Sequence, residues 1–186
     1  MIMREEHKQQ CFDLTCEIFG KYEPAGQMVG MTPEIFKGLM THLFDYIIKQ
    51  ELSIVAIDEA TKQVAGVFTA LDPIKLESEM GFIEGISLSW ALHKHLSKNE
   101  CMKIMFDIVE KVTEPIKKMV DKHAKKYNLK SKTGIIIEML TVAVSLDYTG
   151  KGIASNLTRI LKENGMNLGY KIFYAECSSE FSKKAI

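Results

Sequence analysis

The first helix is predicted by apolar residues that recur every three or four positions over residues 5–19. Gly20 is predicted to end it, since glycine is common just past a helix end. Pro24 restricts the residue before it to extended geometry, so residues 21–26 are predicted as a loop. The chain therefore begins with a helix whose apolar face must pack against the rest of the protein. The residues predicted on that face are Cys11, Leu14, Ile18 and Phe19.

After a second helix, the spacing of apolar residues changes from helical to alternating. That helix, residues 32–50, has Thr32 as N-cap and Pro33 at its first position. Residues 52–57 and 64–70 flank a polar turn, which predicts an antiparallel hairpin. The stripe of the second helix consists of Ile35, Leu39, Leu43, Tyr46 and Ile47.

A long helical segment is predicted from about residue 86 to residue 127, in two or three pieces. Thr113 and Pro115 are predicted to mark a restart, and Asn128 the end. Its last part is basic, which favours a solvated helix face and leaves partner binding as the alternative. The lysines are Lys117, Lys118, Lys122, Lys125 and Lys126.

A strand, a helix and a second strand are predicted near the carboxyl end. Residues 135–144 form an apolar, β-branched run that is typical of a strand buried on both faces. A loop, residues 145–152, precedes a helix that is predicted to end at Gly169, and a strand follows over residues 171–176. A serine-rich turn then leads into a final short helix. The apolar face of the longer helix is predicted to hold Ile153, Leu157, Ile160, Leu161 and Leu168.

Composition excludes several functional classes. Lys plus Arg equals Asp plus Glu at 24 each in 186 residues, which argues against a nucleic-acid partner. No apolar run is long enough for a membrane helix, and the first residues lack a signal peptide, so a cytoplasmic protein without a membrane partner is expected. The four cysteines show no CxxC spacing, so reduced thiols and no metal site are expected.

The loop before the second-last helix is predicted to form an anion-binding site. The first amides of a helix lack intrahelical partners, and the helix dipole adds positive potential there. The small residues Gly150, Gly152 and Ala154 permit close approach of a pyrophosphate. The spacing fits neither a nucleotide P-loop nor a dinucleotide GxGxxG, since Ser155 stands at the third glycine position. Glycines that serve only a tight turn are the alternative.

Residues 140–154 resemble motif A of the GCN5-related N-acetyltransferase (GNAT) superfamily. Gly152 and Ala154 match its last two positions, whereas Thr149 stands where Arg or Gln is usual and Leu146 where Pro is common. The resemblance implies an α/β (α+β) fold, in which helices flank a mixed central sheet. It also implies acetyl-CoA as co-substrate.

The resemblance also implies how the chain is organised and how the cofactor lies on it. A single domain over residues 1–186 would contain a helical insertion at about 74–133 and a CoA-binding core at about 134–186. The family's first strand has little room here and its last two have none, so the chain is a fragment or a partner supplies that edge. The pantetheine would pair with the backbone of Val142, Ala143 and Val144. The pyrophosphate would bind the amides of Gly150, Lys151, Gly152, Ile153, Ala154 and Ser155.

A narrower similarity is to the insect-type arylalkylamine N-acetyltransferases. It is carried by residues 19–24, which include Glu23 and Pro24, and by the serine-containing residues 177–182. In those enzymes the Glu of a Glu-Pro pair is the general base, and serines follow the fifth strand. Leu usually follows that pair, and Ala25 departs from this.

Acetylation of an amine requires a base, because the amine arrives protonated. Glu23 is the first candidate and Glu138 the second; the alternatives are an exposed loop acid for Glu23 and an ion pair with a lysine for Glu138. Ser178 and Ser182 are candidates to relay a proton to the leaving thiolate, with ordinary helix capping as the alternative.

These features together predict an N-acetyltransferase that acts on a small primary amine, with an aromatic amine favoured, by direct attack on acetyl-CoA. The alternative is a non-catalytic GNAT-like module that binds CoA or a protein. A homodimer is a possible assembly.

Overall fold

The computed structural model describes residues 1–79 and 100–186, in which helices cover a four-stranded mixed sheet. The strand order is β1-β2-β3-β4; the first three strands are antiparallel neighbours, and β4 is parallel to β3. The predicted α/β class and hairpin are thus confirmed. Ile2 extends the sheet by one antiparallel bridge to Ile54. The strands are β1 Ile54–Ile57, β2 Val64–Leu71, β3 Ile136–Val144 and β4 Ile172–Tyr174.

Two predicted helix boundaries are confirmed by the residues that cap them. Thr32 caps the third helix, its Oγ1 accepting from the Ile35 amide at 3.4 Å, as predicted. Gly169, at φ +96°, follows the end of the sixth helix, also as predicted. The helices are α1 Lys8–Tyr22, α2 Pro24–Met28, α3 Pro33–Lys49, α4 Pro73–Glu79, α5 Glu100–Lys126, α6 Ile153–Asn167 and α7 Glu180–Ala185.

The sheet buries a separate apolar cluster on each face. On one face, called the α1 face, Val67, Leu71 and Ala143 pack in one cluster with residues of α1 and α3. On the other, called the α6 face, Phe68 and Ile137 pack with residues of α6. Burial of such side chains stabilises the fold by about 1.5–3 kcal/mol each, so this two-sided packing fixes where the two ends of β3 lie.

Two glycines let α6 approach the sheet closely. A Cβ at Gly66 would lie 2.8 Å from Cγ2 of Ile153, and a Cβ at Gly165 would lie 2.6 Å from the Phe173 ring. Any larger residue at either position would push the helix away from the strands. Leu168, predicted on the apolar face of this helix, is instead 63% exposed because α6 ends at the residue before it.

The prediction that Gly20 ends the first helix was wrong. The helix continues to Tyr22, and Gly20 is buried where a Cβ would lie 2.5 Å from Cα of Pro33. This glycine therefore serves the close approach of α1 and α3. The predicted loop at residues 21–26 is also partly helical, because Glu23 is extended and caps α2.

The predicted helix restart at Thr113 was wrong as well. Helix α5 runs through Pro115, which is solvent-exposed, so water can satisfy the Lys111 carbonyl that loses its helical partner there. The predicted end was right: Asn128 has φ +50°, and the Leu129 amide bonds the Ala124 carbonyl at 3.0 Å. The predicted start near residue 86 lies outside the described residues.

Candidate functional site

The loop between β3 and α6 opens a helix N-terminus to the surface. Gly150 and Gly152 have φ of +74° and +71°, a region that other residues rarely adopt. A Cβ at Gly150 would meet no atom within 4 Å, so backbone conformation, not packing, requires glycine there. No side chain caps α6. The first amides of α6 are therefore directed at space that an anion can occupy.

Thr149, which replaces the Arg or Gln of motif A, shapes this loop. Its hydroxyl donates to the carbonyl of Leu146 at 3.0 Å, directly after the short 3-10 turn Leu146–Tyr148. The Thr149 side chain is exposed and bonds within its own loop, so it stabilises the turn that precedes Gly150.

Strands β3 and β4 are paired only along the first part of β3. Their parallel pairing covers only three residue pairs and ends at Glu138 opposite Tyr174. Beyond that point β3 continues to Val144, paired on its β2 side only. The outer edge of Val142, Ala143 and Val144 is thus without a strand partner in the described sheet. An extended ligand can add there like another strand.

A β-bulge lies where the two strands part. Thr69 is opposite Thr141, but the next residue of β2, Ala70, is opposite Met139, so Leu140 is an extra residue on β3. A bulged residue leaves the ladder locally disrupted. The sequence gives no sign of it, because a bulge depends on the register between two strands.

Glu23 is a half-buried carboxylate held by the start of α2. Its Oε2 accepts a hydrogen bond from the amide of Gly26, the usual bond of an N-cap residue. Glu23 thus lies beside α1, which packs on the α1 face of the sheet. One carboxylate oxygen is occupied by the cap, which fixes the direction of the other.

Glu138 and Glu176 form an acidic pair on the α1 face. Glu138 is 8% exposed and lies between Ile137 and Met139, whose side chains pack on the α6 face. Tyr174 is its neighbour on β4, and Glu176 follows two residues later. Although Glu176 as a residue is exposed, desolvation of its carboxyl group and the Glu138 carboxylate raise its pKa to about 7. Glu176 was not predicted from the sequence, since strand register decides that it lies near Glu138.

Glu176 should make the stability of the protein depend on pH. A carboxyl pKa raised in the folded state favours the protonated form, so this stabilisation is complete below the ordinary pKa of 4.5 and is lost as pH rises through about 7. We expect Glu176→Gln to gain Tm relative to the parent as pH rises from about 5 to 8. Differential scanning fluorimetry measures this, with Glu59→Gln in the exposed hairpin turn as control. A constant difference at every pH contradicts it.

The two predicted serines differ in their surroundings. Ser182 completes a capping box of α7: its Oγ lies 2.9 Å from that of Ser179, and its amide donates to Ser179 Oγ at 3.1 Å. Ser178 is exposed. The capping alternative therefore describes Ser182, with Ser179 as the N-cap.

Neither a protein-family model nor a curated protein sequence matches this sequence. Solved structures do match it. Arylalkylamine N-acetyltransferase 2 from Aedes aegypti aligns over 100% of this chain and 78% of its own, with a TM-score of 0.71 and 17% identity. The chain has the fold of the GNAT acetyltransferases. A polyamine N-acetyltransferase from Drosophila melanogaster (TM-score 0.66, 13% identity) covers 99% of this chain and 78% of its own.

A third match is to a condensation domain. The C-terminal condensation domain of Ebony, solved with β-alanyl-dopamine, has a TM-score of 0.68 and 12% identity over 99% of this chain and 77% of its own. At such identities the likeness establishes the GNAT fold alone. Within the described residues, no group of three or more His, Cys, Asp or Glu is arranged to hold a metal, and no helix is long and apolar enough to span a membrane.

Proposed function

We propose that the protein transfers the acetyl group of acetyl-CoA to a small primary amine, with an aromatic amine favoured. The observation that carries the proposal is the uncapped start of α6, directly beyond the unpaired edge of β3. The amides at the start of α6 suit a pyrophosphate, and the unpaired edge of β3 suits a pantetheine. One short loop joins the end of β3 to the start of α6. The GNAT fold supports the same arrangement.

In this proposal the thioester lies where β3 and β4 part. The amine nitrogen attacks the carbonyl carbon, the C–N bond forms, the C–S bond breaks, and CoA leaves as a thiolate that takes up a proton. We infer that a backbone N–H at the Leu140 bulge would stabilise the negative charge that develops on the carbonyl oxygen, because a bulge leaves the ladder locally disrupted. A preorganised donor of this kind contributes about 3–4 kcal/mol in known enzymes.

Carboxylates on the α1 face supply the base in this proposal. Glu23 is the first candidate, since the α2 cap holds it in one orientation, and Glu138 is the second. Ser178 and Ser182 are candidates for returning a proton to the thiolate, and the capping box with Ser179 fixes the position of Ser182. Acetyl-CoA, as co-substrate, would be held by the backbone of Val142–Val144 and by the amides of residues 150–155.

A non-catalytic module that binds CoA is the second candidate. It is favoured by the capping contacts of Glu23 and Ser182, which give both residues a structural role without catalysis. Binding and turnover separate the two functions: acetyl-CoA at about 100 times its Kd should raise stability by about 2.7 kcal/mol under either, whereas thiol release with an amine occurs only in the enzyme.

We expect tryptamine, dopamine and serotonin to be acetylated faster than a histone-tail peptide. The Glu-Pro pair and the serine turn, which resemble the arylalkylamine enzymes, motivate this order. Release of free CoA thiol under equal acetyl-CoA measures it, with spermidine and agmatine as further acceptors. Turnover of the peptide without any turnover of the aromatic amines would refute the assignment.

A further inference from the structure

A hydrogen bond joins the proposed cofactor loop to a distant turn. The hydroxyl of Tyr148 donates to Oδ2 of Asp58 at 2.8 Å, across 90 positions of sequence. Tyr148 ends the 3-10 turn that precedes Gly150, and Asp58 begins the turn between β1 and β2. The contact therefore links the loop between β3 and α6 to the turn of the hairpin.

The Asp58 end of this link is rigid. Its other oxygen, Oδ1, accepts from the amides of Ala60 and Thr61 at 2.8 and 3.0 Å, and its own amide donates to the Gln63 carbonyl at 2.9 Å. The Thr61 amide and the Tyr148 hydroxyl hold the pKa of the Asp58 carboxyl below its usual range. An ionised acceptor whose position is set by the hairpin makes a strong anchor.

At the other end of the link, the Tyr148 ring contacts a lysine next to the N-terminus of α6. The Lys151 ammonium lies 4.7 Å from the centroid of the Tyr148 ring, a cation–π distance. Lys151 stands between Gly150 and Gly152, and a Cβ at either glycine would meet little or nothing within 4 Å. Side-chain packing thus does little to hold these glycines. The Thr149–Leu146 bond lies within the loop, whereas the Tyr148 side chain bonds the loop to the hairpin turn.

We propose that the Asp58–Tyr148 hydrogen bond positions the loop for cofactor binding. It orders residues 150–152 and the Lys151 ammonium in the conformation that binds the phosphates of acetyl-CoA. This rests on the proposed function. Tyr148 acts through the loop and takes no part in the reaction itself. A loop that is ordered before binding loses less conformational entropy when the cofactor binds. Loss of the hydrogen bond should therefore lower the affinity for acetyl-CoA and leave the rate of the chemical step unchanged.

Tyr148→Phe tests the inference, because it keeps the ring under Lys151 and removes the hydroxyl. A hydrogen bond to an ionised acceptor is stronger than a neutral one, so we expect the Kd for acetyl-CoA to rise by about 10-fold when the hydroxyl is removed. The KM for acetyl-CoA should rise with it, while kcat at saturating acetyl-CoA and the KM for the amine stay unchanged. Tyr148→Leu, which also removes the cation–π contact, should weaken binding further.

Calorimetry with acetyl-CoA measures the affinities, and Tyr127→Phe, at the exposed end of α5, is the matched control. Equal affinity of Tyr148→Phe and parent overturns the inference and leaves the proposed function standing. A loss in kcat without a change in KM for acetyl-CoA also overturns it. If the parent itself fails to bind acetyl-CoA, the proposed function fails and the inference with it.

Discussion

Replacing Gly152 with valine should lower the affinity for acetyl-CoA by about 100-fold or more. Gly152 has φ +71° at the N-cap of α6, and a β-branched residue there is strained by roughly 1–3 kcal/mol. The added side chain also occupies space beside the first amides of the helix, so a pyrophosphate loses its close approach. Isothermal titration calorimetry with acetyl-CoA measures the loss.

Gly169→Val provides the matched control for this change. Gly169 has φ +96° at the opposite end of the same helix, and a Cβ there would meet no atom within 4 Å. It should therefore suffer similar strain and a similar fall in Tm, yet bind acetyl-CoA as the parent does. If the folded Gly152→Val variant binds as tightly as the parent, the cofactor lies elsewhere.

Replacing Glu23 with glutamine should lower turnover at neutral pH by about a hundred- to ten-thousand-fold, the usual cost of losing a positioned base. The amide oxygen of glutamine can still accept from Gly26, so the cap and the fold should survive. Acetyl-CoA affinity should barely change. Raising the pH should partly rescue the variant, since more of the amine is then already deprotonated. Steady-state kinetics across pH test all three expectations.

Glu138→Gln is the parallel variant, because Glu138 is the second candidate and is buried on the same face of the sheet. Under the proposal it should retain more activity than Glu23→Gln. Full activity in Glu23→Gln together with loss in Glu138→Gln would place the base on β3 and remove the main support for the arylalkylamine analogy.

The strand, loop and helix that carry the candidate cofactor site could be predicted from sequence because these elements are local. The apolar run of β3, the glycines at 150 and 152, and the amphipathic α6 follow one another within about thirty residues, and each depends on backbone conformation or periodicity. The same locality explains why the Thr32 cap and the hairpin were predicted correctly. Gly20 shows the limit: a glycine that ends a helix and one that lets two helices touch look alike in sequence.

The sequence by itself determined the α/β class, the antiparallel hairpin and the strand–loop–helix unit that carries the candidate anion site. Only the tertiary structure decided the bulge at Leu140, the Glu138–Glu176 pair and the bond from Tyr148 to Asp58. The physical reason is the range of the interactions. Caps, turns and amphipathic faces arise between residues a few positions apart, whereas register and charge pairing join segments that meet only when the whole sheet is assembled.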